Sequence, residues 1–530
     1  MTAPGSLDRA ARARHPLSRL WVRELEAYPT ALPRYTFLAI VVLATVVLYY
    51  ELYVGGGVAP YLLTQLHMSF LSYVYIVVVG NAVGAFSSLV AGLGDRYGRA
   101  NLVVYGLMVT GLLTVVAIPH AGSSLVYGVE FGAVAFVEGI ILVATPALIR
   151  DFSPQVGRAS AMGFWTLGPV VGSLVVALVA THTLPVYRDF QSQYVICGIV
   201  GLVMFGVALV GLRELSPRLR DQLMVGKRDL ALVEARAKGI DVEASLRHPW
   251  RQMLHVDVIG SAFGVSVLLL VYYTAVGFFT IFLTTVFGFS TSQANGILTW
   301  DWAVDAAALI AVGWVSDRVR VRKPFMLVGG LGTAVMTIVL LLQTGAAHSG
   351  YYTLVWEISL LALFLAVAYA PWMASFTETV EARNPALTAT GLAVWGWIIR
   401  AVIAVSTAFL PVVVTTVTTL VTAPAYLTAF AKARAAGIPL AKLPPALVHH
   451  LRAIKEAAAA SPGQWQTWLW VCVAGAGVFC LLIFTMVGRW SPRRAKADQE
   501  RHDQAVQAEL ASLAAGSGQP NRGDPTPGRP

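Results

Sequence analysis

The stretch that decides the fold is AGLGDRYGRANLVV, residues 91–104. Long apolar runs flank it on both sides, and between them stand Asp95, Arg96 and Arg99, punctuated by Gly92, Gly94 and Gly98. Glycine permits a tight reversal and the charges hold it at a water interface, so the stretch reads as a short turn between two closely packed membrane helices. The surrounding chain agrees. It is 57% hydrophobic and only 12% charged, where a soluble domain carries about 25% charged residues. Runs of ~20 apolar residues, enough to cross ~30 Å of hydrocarbon, recur along its length. They predict about twelve spans, near 36–58, 70–92, 101–119, 124–148, 159–181 and 193–212, then 258–286, 292–315, 324–343, 352–374, 388–421 and 466–488.

The loops fix an expected orientation. With the N-terminus inside, the inner loops hold Arg96, Arg99, Arg150, Arg158, Arg318, Arg320, Arg322, Lys323 and Arg383, and the tail begins with Arg489, Arg493 and Arg494. The short outer loops at 59–69, 120–123 and 344–351 hold no Lys or Arg. Both termini are therefore expected in the cytoplasm. The net charge of +10 is explained by these loops, and no nucleic-acid partner is expected. The polar, Arg-rich residues 1–35 precede the first apolar run and read as an N-terminal tail, not as a cleavable signal sequence. Residues 213–257 form a polar linker, and 489–530 a tail expected to be disordered. An outer insertion, 423–463, is Ala-rich and broken by Pro439, Pro444, Pro445 and Pro462. It reads either as short helices or as lengthened ends of spans eleven and twelve.

The two halves repeat. AGLGDRYGR (91–99) returns as GWVSDRVRVRK (313–323), with Asp95 and Asp317 separated by 222 positions. PALIRDFSPQVGR (146–158) returns as PWMASFTETVEAR (371–383), with Pro146 and Pro371, and Arg158 and Arg383, each separated by 225. Two landmarks at nearly one offset make six spans, a linker and six related spans. Parallel repeats of this kind enclose a binding site at mid-membrane and rock about it. The predicted fold class is an all-α membrane protein of two pseudo-symmetric six-helix bundles, 36–212 and 258–488.

On these residues the chain resembles the major facilitator superfamily of secondary transporters. Leu93, Asp95, Arg96, Gly98 and Arg99 match the family's pattern between spans two and three, with Ala91 and Ala100 as departures. Gly313, Asp317, Arg318 and Arg322 match in the second half, where Arg320 replaces a glycine and implies a looser turn. The resemblance implies a conformational latch of Asp95, Arg96, Gly98, Arg99, Asp151, Asp317 and Arg318. In it Asp95 faces the positive end of span eleven and Arg99 pairs with Asp151 when the cytoplasmic side is shut. Weaker likenesses to drug/proton antiporters lie in YELYVGGGVAPYLLTQL (50–66), with Glu51 at the acidic position, and in GFWTLGPVVGS (163–173) of span five.

Ionisable groups at bilayer depth are costly unless they are paired or serve a purpose. Glu51, Glu138, Asp301 and Asp305 are the proton-coupling candidates. Asp301 and Asp305, four residues apart, share one helix face, and two such carboxylates held out of water should not both carry charge. Glu130 and Glu357 fall near the outer interface. Arg400, within VWGWIIR, could neutralise an acid or hold an anionic substrate group, with Trp300, Trp395 and Trp397 as aromatic neighbours of the site. Cys197, Cys472 and Cys480 all lie in apolar runs without metal-ligand spacing, and no phosphate-binding loop, cofactor motif or catalytic constellation occurs.

The sequence therefore predicts a monomeric, proton-coupled secondary transporter of a small-molecule substrate in a prokaryotic plasma membrane, and no enzyme. The antiporter-like patterns and the excess of acids lean towards export of amphipathic or cationic compounds. Proton-driven uptake of a small organic anion held by Arg400 is the rival. A receptor or assembly partner acting through 423–463 is the third reading.

Overall fold

The computed structural model describes residues 21–87, 97–153, 165–220, 252–319, 321–345, 349–384, 387–436, 438–439, 442–486, 490–491, 500–501, 504 and 507–508. Asp95, Arg96 and Arg320, most of the linker, and nearly all of the tail after 489 lie outside them. The helices are α1 (Ala31–Gly57), α2 (Ala59–Gln65), α3 (Phe70–Ser87), α4 (Arg99–Leu112), α5 (Ser124–Phe152), α6 (Gly168–Thr183) and α7 (Phe190–Gly211). The second half holds α8 (Val256–Leu268), α9 (Leu270–Val286), α10 (Thr291–Val319), α11 (Lys323–Gln343), α12 (Tyr351–Arg383), α13 (Thr388–Val413), α14 (Val417–Ala435) and α15 (Pro445–Leu482). Counting α8 with α9 as one span, and α4 with its tighter and wider turns through His120 as another, eleven described helices are long and apolar enough to cross a membrane, and the shorter α6 stands where span five was predicted. Ser123 and Asp189 cap α5 and α7 by accepting from the amides of Val126 and Ser192, the role expected of short polar side chains at helix starts.

The repeat read in the sequence is a repeat in packing. In the first half α1 lies against α6 and α7, α3 against α5, and α4 against α5 and α7. In the second half α8 lies against α13 and α15, α10 against α12, and α11 against α12 and α15. The contacts between halves obey the same pseudo-twofold: α6 meets α10 as α13 meets α3. Pro146 and Pro371, the equivalent prolines, both sit inside helices.

The halves are sealed to one another at one end. Asn295 Nδ2 donates to the Gly57 carbonyl (2.8 Å), the Phe70 amide to Thr418 Oγ1 (3.0 Å), Tyr73 Oη to the Gly277 carbonyl (3.3 Å) and Ser292 Oγ to the Thr181 carbonyl (2.8 Å). One apolar core there joins both halves through Val58, Leu62, Phe70, Phe278 and Leu283. A second core, with Ile40, Leu48, Leu107 and Ile149, belongs to the first half alone.

Two features differ from the sequence reading. Span eleven, expected to run to 421, ends at Val413, and α14 restarts at Val417. The insertion combines the two forms offered by the sequence: a separate helix, α14, and a lengthened start of span twelve. α15 runs unbroken for 38 residues through Pro462, about 57 Å at 1.5 Å per residue, and so overshoots the hydrocarbon. Gln464 Oε1 accepts from Thr416 (2.9 Å), and the Tyr426 and His450 rings stack at 4.1 Å, tying α14 to α15.

The other difference is an anchored N-terminal segment. Glu24–Leu25 (β1) pairs in parallel with Glu214–Leu215 (β2). The Arg23 guanidinium, 1% exposed, donates to Asn101 Oδ1 (3.0 Å) and to the carbonyls of Leu209 (2.7 Å) and Leu212 (3.2 Å) at the end of α7. Glu214 accepts from the Arg99 amide (2.8 Å) at the start of α4. Gly98 precedes it with φ +90°, and a β-carbon there would overlap Glu214 Oε1. Burial holds the Glu214 carboxyl above its ordinary value of 4.5, outweighing the Arg99 amide and the Arg220 guanidinium. A raised acid favours the folded state while protonated. That contribution is complete below 4.5 and is lost as pH climbs through the folded value. Glu214→Gln should therefore flatten the fall of thermal stability with rising pH, and an unchanged slope of Tm against pH would refute this.

Candidate functional site

Between the halves, at the level of the helix midpoints, facing side chains come from α1, α9, α12 and α13. Arg400 of α13 is exposed there and acts electrostatically on the phenols of Tyr49 (α1) and Tyr273 (α9). Tyr369 of α12 interacts with the same two phenols. Tyr49 packs on Tyr53 at 5.4 Å and Tyr273 on Tyr272 at 5.1 Å. Tyr49, Tyr53, Tyr273 and Tyr369 are all half-buried, so each presents part of a ring and a hydroxyl to the space around the guanidinium. Arg400 forms no ion pair among the described residues, which leaves its five N–H donors for a ligand. Such a setting can hold a carboxylate bidentately and stack a flat or polyhydroxylated body on phenol rings.

The predicted acids form two pairs, one inside each half. Glu51 and Glu138 are 2% and 1% exposed and act on each other across α1 and α5. Their four carboxyl oxygens are buried without a hydrogen-bond partner among the described residues. Glu51 Oε1 rests against the backbone of α7 at Gly201, turned away from the centre. Glu138 also acts on Tyr49 and Tyr53, which links it to the central group. Asp301 and Asp305, 5% and 4% exposed, line a cavity of about 20 Å³ with Tyr272, Trp302 and apolar side chains of α9, α10 and α12. Asp305 acts on Tyr272 and Tyr369, so each half presents one acid to the tyrosine cluster.

The aromatic candidates divide. Trp395 is half-buried and packs on Trp372 at 5.4 Å. Trp397 is 47% exposed, three residues before Arg400 and so on its side of the helix. Trp300 is 57% exposed, whereas Trp302, two residues on, is the ring turned inward against Tyr272 at 5.4 Å. The tyrosines are the residues that sequence reasoning missed. The signal available was Tyr49 and Tyr53 at i, i+4 and the Tyr272-Tyr273 doublet, polar hydroxyls recurring at mid-span depth.

At the end opposite the seal, Arg99 Nη1 meets Asp151 Oδ2 at 2.9 Å. Its counterpart, Arg322, meets Asp317 at 2.7 Å and Glu378 at 3.3 Å. Arg318 instead covers Trp314 at 5.3 Å. Each of these three pairs lies within a single half, so rocking of the halves does not by itself separate it.

The profile of the Major Facilitator Superfamily matches residues 41–383. Over 201 residues the chain is 25% identical to the hexuronate transporter of Escherichia coli strain K12, covering 37% of this chain and 45% of that protein. The match thus spans a little under half the length of the curated relative. Among solved structures, a bacterial homolog of the human lysosomal transporter Spinster, inward-facing and unoccupied, superposes with a TM-score of 0.61 at 17% identity, covering 86% of this chain and 98% of that one. A D-xylose–proton symporter superposes with a TM-score of 0.52 at 15% identity, covering 71% and 96%. At those identities the likeness is one of fold. With the profile spanning well over half of the chain and the paired six-helix packing, this chain belongs to the major facilitator superfamily, a family of membrane transporters, and has the helices of a multi-pass membrane protein.

Proposed function

We propose that this transporter imports a small organic anion, of the sugar-acid class, together with protons, by alternating access between the bundles 36–212 and 258–488. The observation that carries the reading is the contrast at membrane depth. The cation Arg400 is exposed beside the tyrosines, while Glu51, Glu138, Asp301 and Asp305 are each at most 5% exposed. A hexuronate offers one carboxylate for the guanidinium and several hydroxyls for the phenols, and the partial match to a hexuronate transporter supports that class. The buried acids, which gain nothing from charge where they stand, serve as proton carriers. The test is proteoliposome uptake of labelled D-glucuronate under an inward proton gradient. Accumulation that collapses with a protonophore supports the proposal, and none above protein-free vesicles rejects it.

Export of a cationic compound is the second reading, and the reach of Glu138 to Tyr49 and Tyr53 favours it. A cation over those rings would be held by their faces and by that acid. The two readings part on whether D-glucuronate or an organic cation protects a cysteine placed at Tyr53 from labelling.

From the basic loops we place both termini on the cytoplasmic side of a prokaryotic plasma membrane, the sealed end facing out and one chain acting alone. The Arg99–Asp151 pair then steadies the cytoplasmic turn. With side chains 24% and 11% exposed, the pair contributes about 1 kcal/mol, or about fivefold in the local opening of that turn within the first half. Asp151→Asn should raise maleimide labelling of a cysteine at Tyr97 by that factor. The native cysteines are buried and give little background. Equal labelling in parent and variant would show that the pair does not hold the turn.

A further inference from the structure

We infer that the cavity beside Asp301 and Asp305 is a binding site for one monovalent cation, sodium by size and donor chemistry, taken in competition with a proton. The inference rests on the pair being a coupling group, as proposed above, and names the ion that the group exchanges.

Three observations converge on it. First, Asp301 and Asp305 line the same cavity, one helical turn apart on α10, and neither forms an ion pair or hydrogen bond among the described residues. Second, Tyr272 lines the cavity from α9. It is 9% exposed, its hydroxyl has no hydrogen-bond partner among the described residues, and that hydroxyl interacts electrostatically with Asp305. Third, the remaining wall is apolar, built by Val271, Ala275, Phe279, Leu361, Ala362 and Leu365 around Trp302. The polar lining is therefore two carboxyl groups and one phenol, all oxygen, with no nitrogen donor except the inward indole of Trp302.

Carboxylate and phenol oxygens suit a hard cation. Size decides the charge of the ion. About 20 Å³ holds one water-sized occupant, so the ion must enter bare. Magnesium sheds its water reluctantly and calcium seeks six to eight oxygens, more than are present. Sodium, stripped of water and ringed by carboxylate and phenol oxygens, meets the volume and the ligand set. One sodium ion and one shared proton would leave the pair neutral in its apolar wall.

The test is thermal unfolding of the purified full chain in detergent, titrated with NaCl against choline chloride at constant ionic strength, with KCl in parallel. A saturable rise of roughly 2–5 °C at a hundredfold excess over Kd is expected for sodium, weakening as pH falls. Asp305→Asn and Asp301→Asn should abolish the rise, Tyr272→Phe should reduce it, and Glu138→Gln in the other half should keep it. If the aspartate variants unfold, equilibrium binding of ²²Na⁺ to the parent and to Tyr272→Phe decides instead. An equal rise in KCl or choline, sodium sensitivity that survives Asp305→Asn, or no ²²Na⁺ bound would each overturn the inference. Sodium binding is read without any organic substrate, so its failure and that of the sugar-acid reading are told apart.

Discussion

Arg400→Ala should lose sugar-acid uptake by about 30-fold or more while the protein folds as before. Removing one partner of a desolvated, hydrogen-bonded charge pair costs about 2–5 kcal/mol, and each 1.4 kcal/mol is tenfold. Folding is spared because Arg400 is exposed and balances no acid among the described residues, so its removal strands no opposite charge. Arg400→Lys separates charge from shape. It keeps the cation but loses the planar fork that grips a carboxylate at two points, and should land between parent and Ala variant. The measurement is initial uptake of labelled D-glucuronate in proteoliposomes, with Tm as the folding control. Uptake within twofold of the parent in the Ala variant would take Arg400 out of the site and leave the tyrosines to explain binding alone.

Gly56→Ala should prevent the sealed end from closing. The last turn of α1 approaches α9 so nearly that a β-carbon at residue 56 would overlap the Val276 carbonyl oxygen. That neighbour is backbone and cannot swing aside as a side chain would. Overpacking of this kind costs about 1–3 kcal/mol, but only in the state where the two helices touch. The opened state pays nothing, so the equilibrium should move towards it by about 5- to 150-fold. Spin labels at Tyr187 and Ser290, exposed residues on the two halves at that end, should report a longer distance in the variant. An unchanged distance distribution, with unchanged uptake, would mean that the seal does not depend on this crossing.

The architecture was legible because it is written in local periodicities. Apolar runs gave the spans, and the return of Asp95 as Asp317 and of Pro146 as Pro371 gave the repeat, which α3 on α5 and α10 on α12 reproduce in space. Pairing of Asp301 with Asp305 was legible for the same reason, since four residues is one helical turn. Trp300 shows where such reading stops. It adjoins Asp301 in sequence, yet consecutive helical residues point about 100° apart, and Trp302 is the inward ring. The tyrosine cluster draws Tyr49, Tyr273 and Tyr369 from three helices, and nothing local announces that they meet. Arg23 was invisible for another reason: in an Arg-rich tail it is one cation among many, and only the carbonyls at the end of α7 single it out.

The long helix α15 has a practical use. Because one unbroken rod starts within the second bundle and continues beyond the lipid, anything clamped to its far portion, around Arg452 and Lys455, turns with that bundle. An antibody fragment raised against this rod would serve as a fiducial for single-particle imaging of a protein otherwise hidden in its detergent belt. Its tilt against the micelle, read image by image, would measure how far the bundle swings.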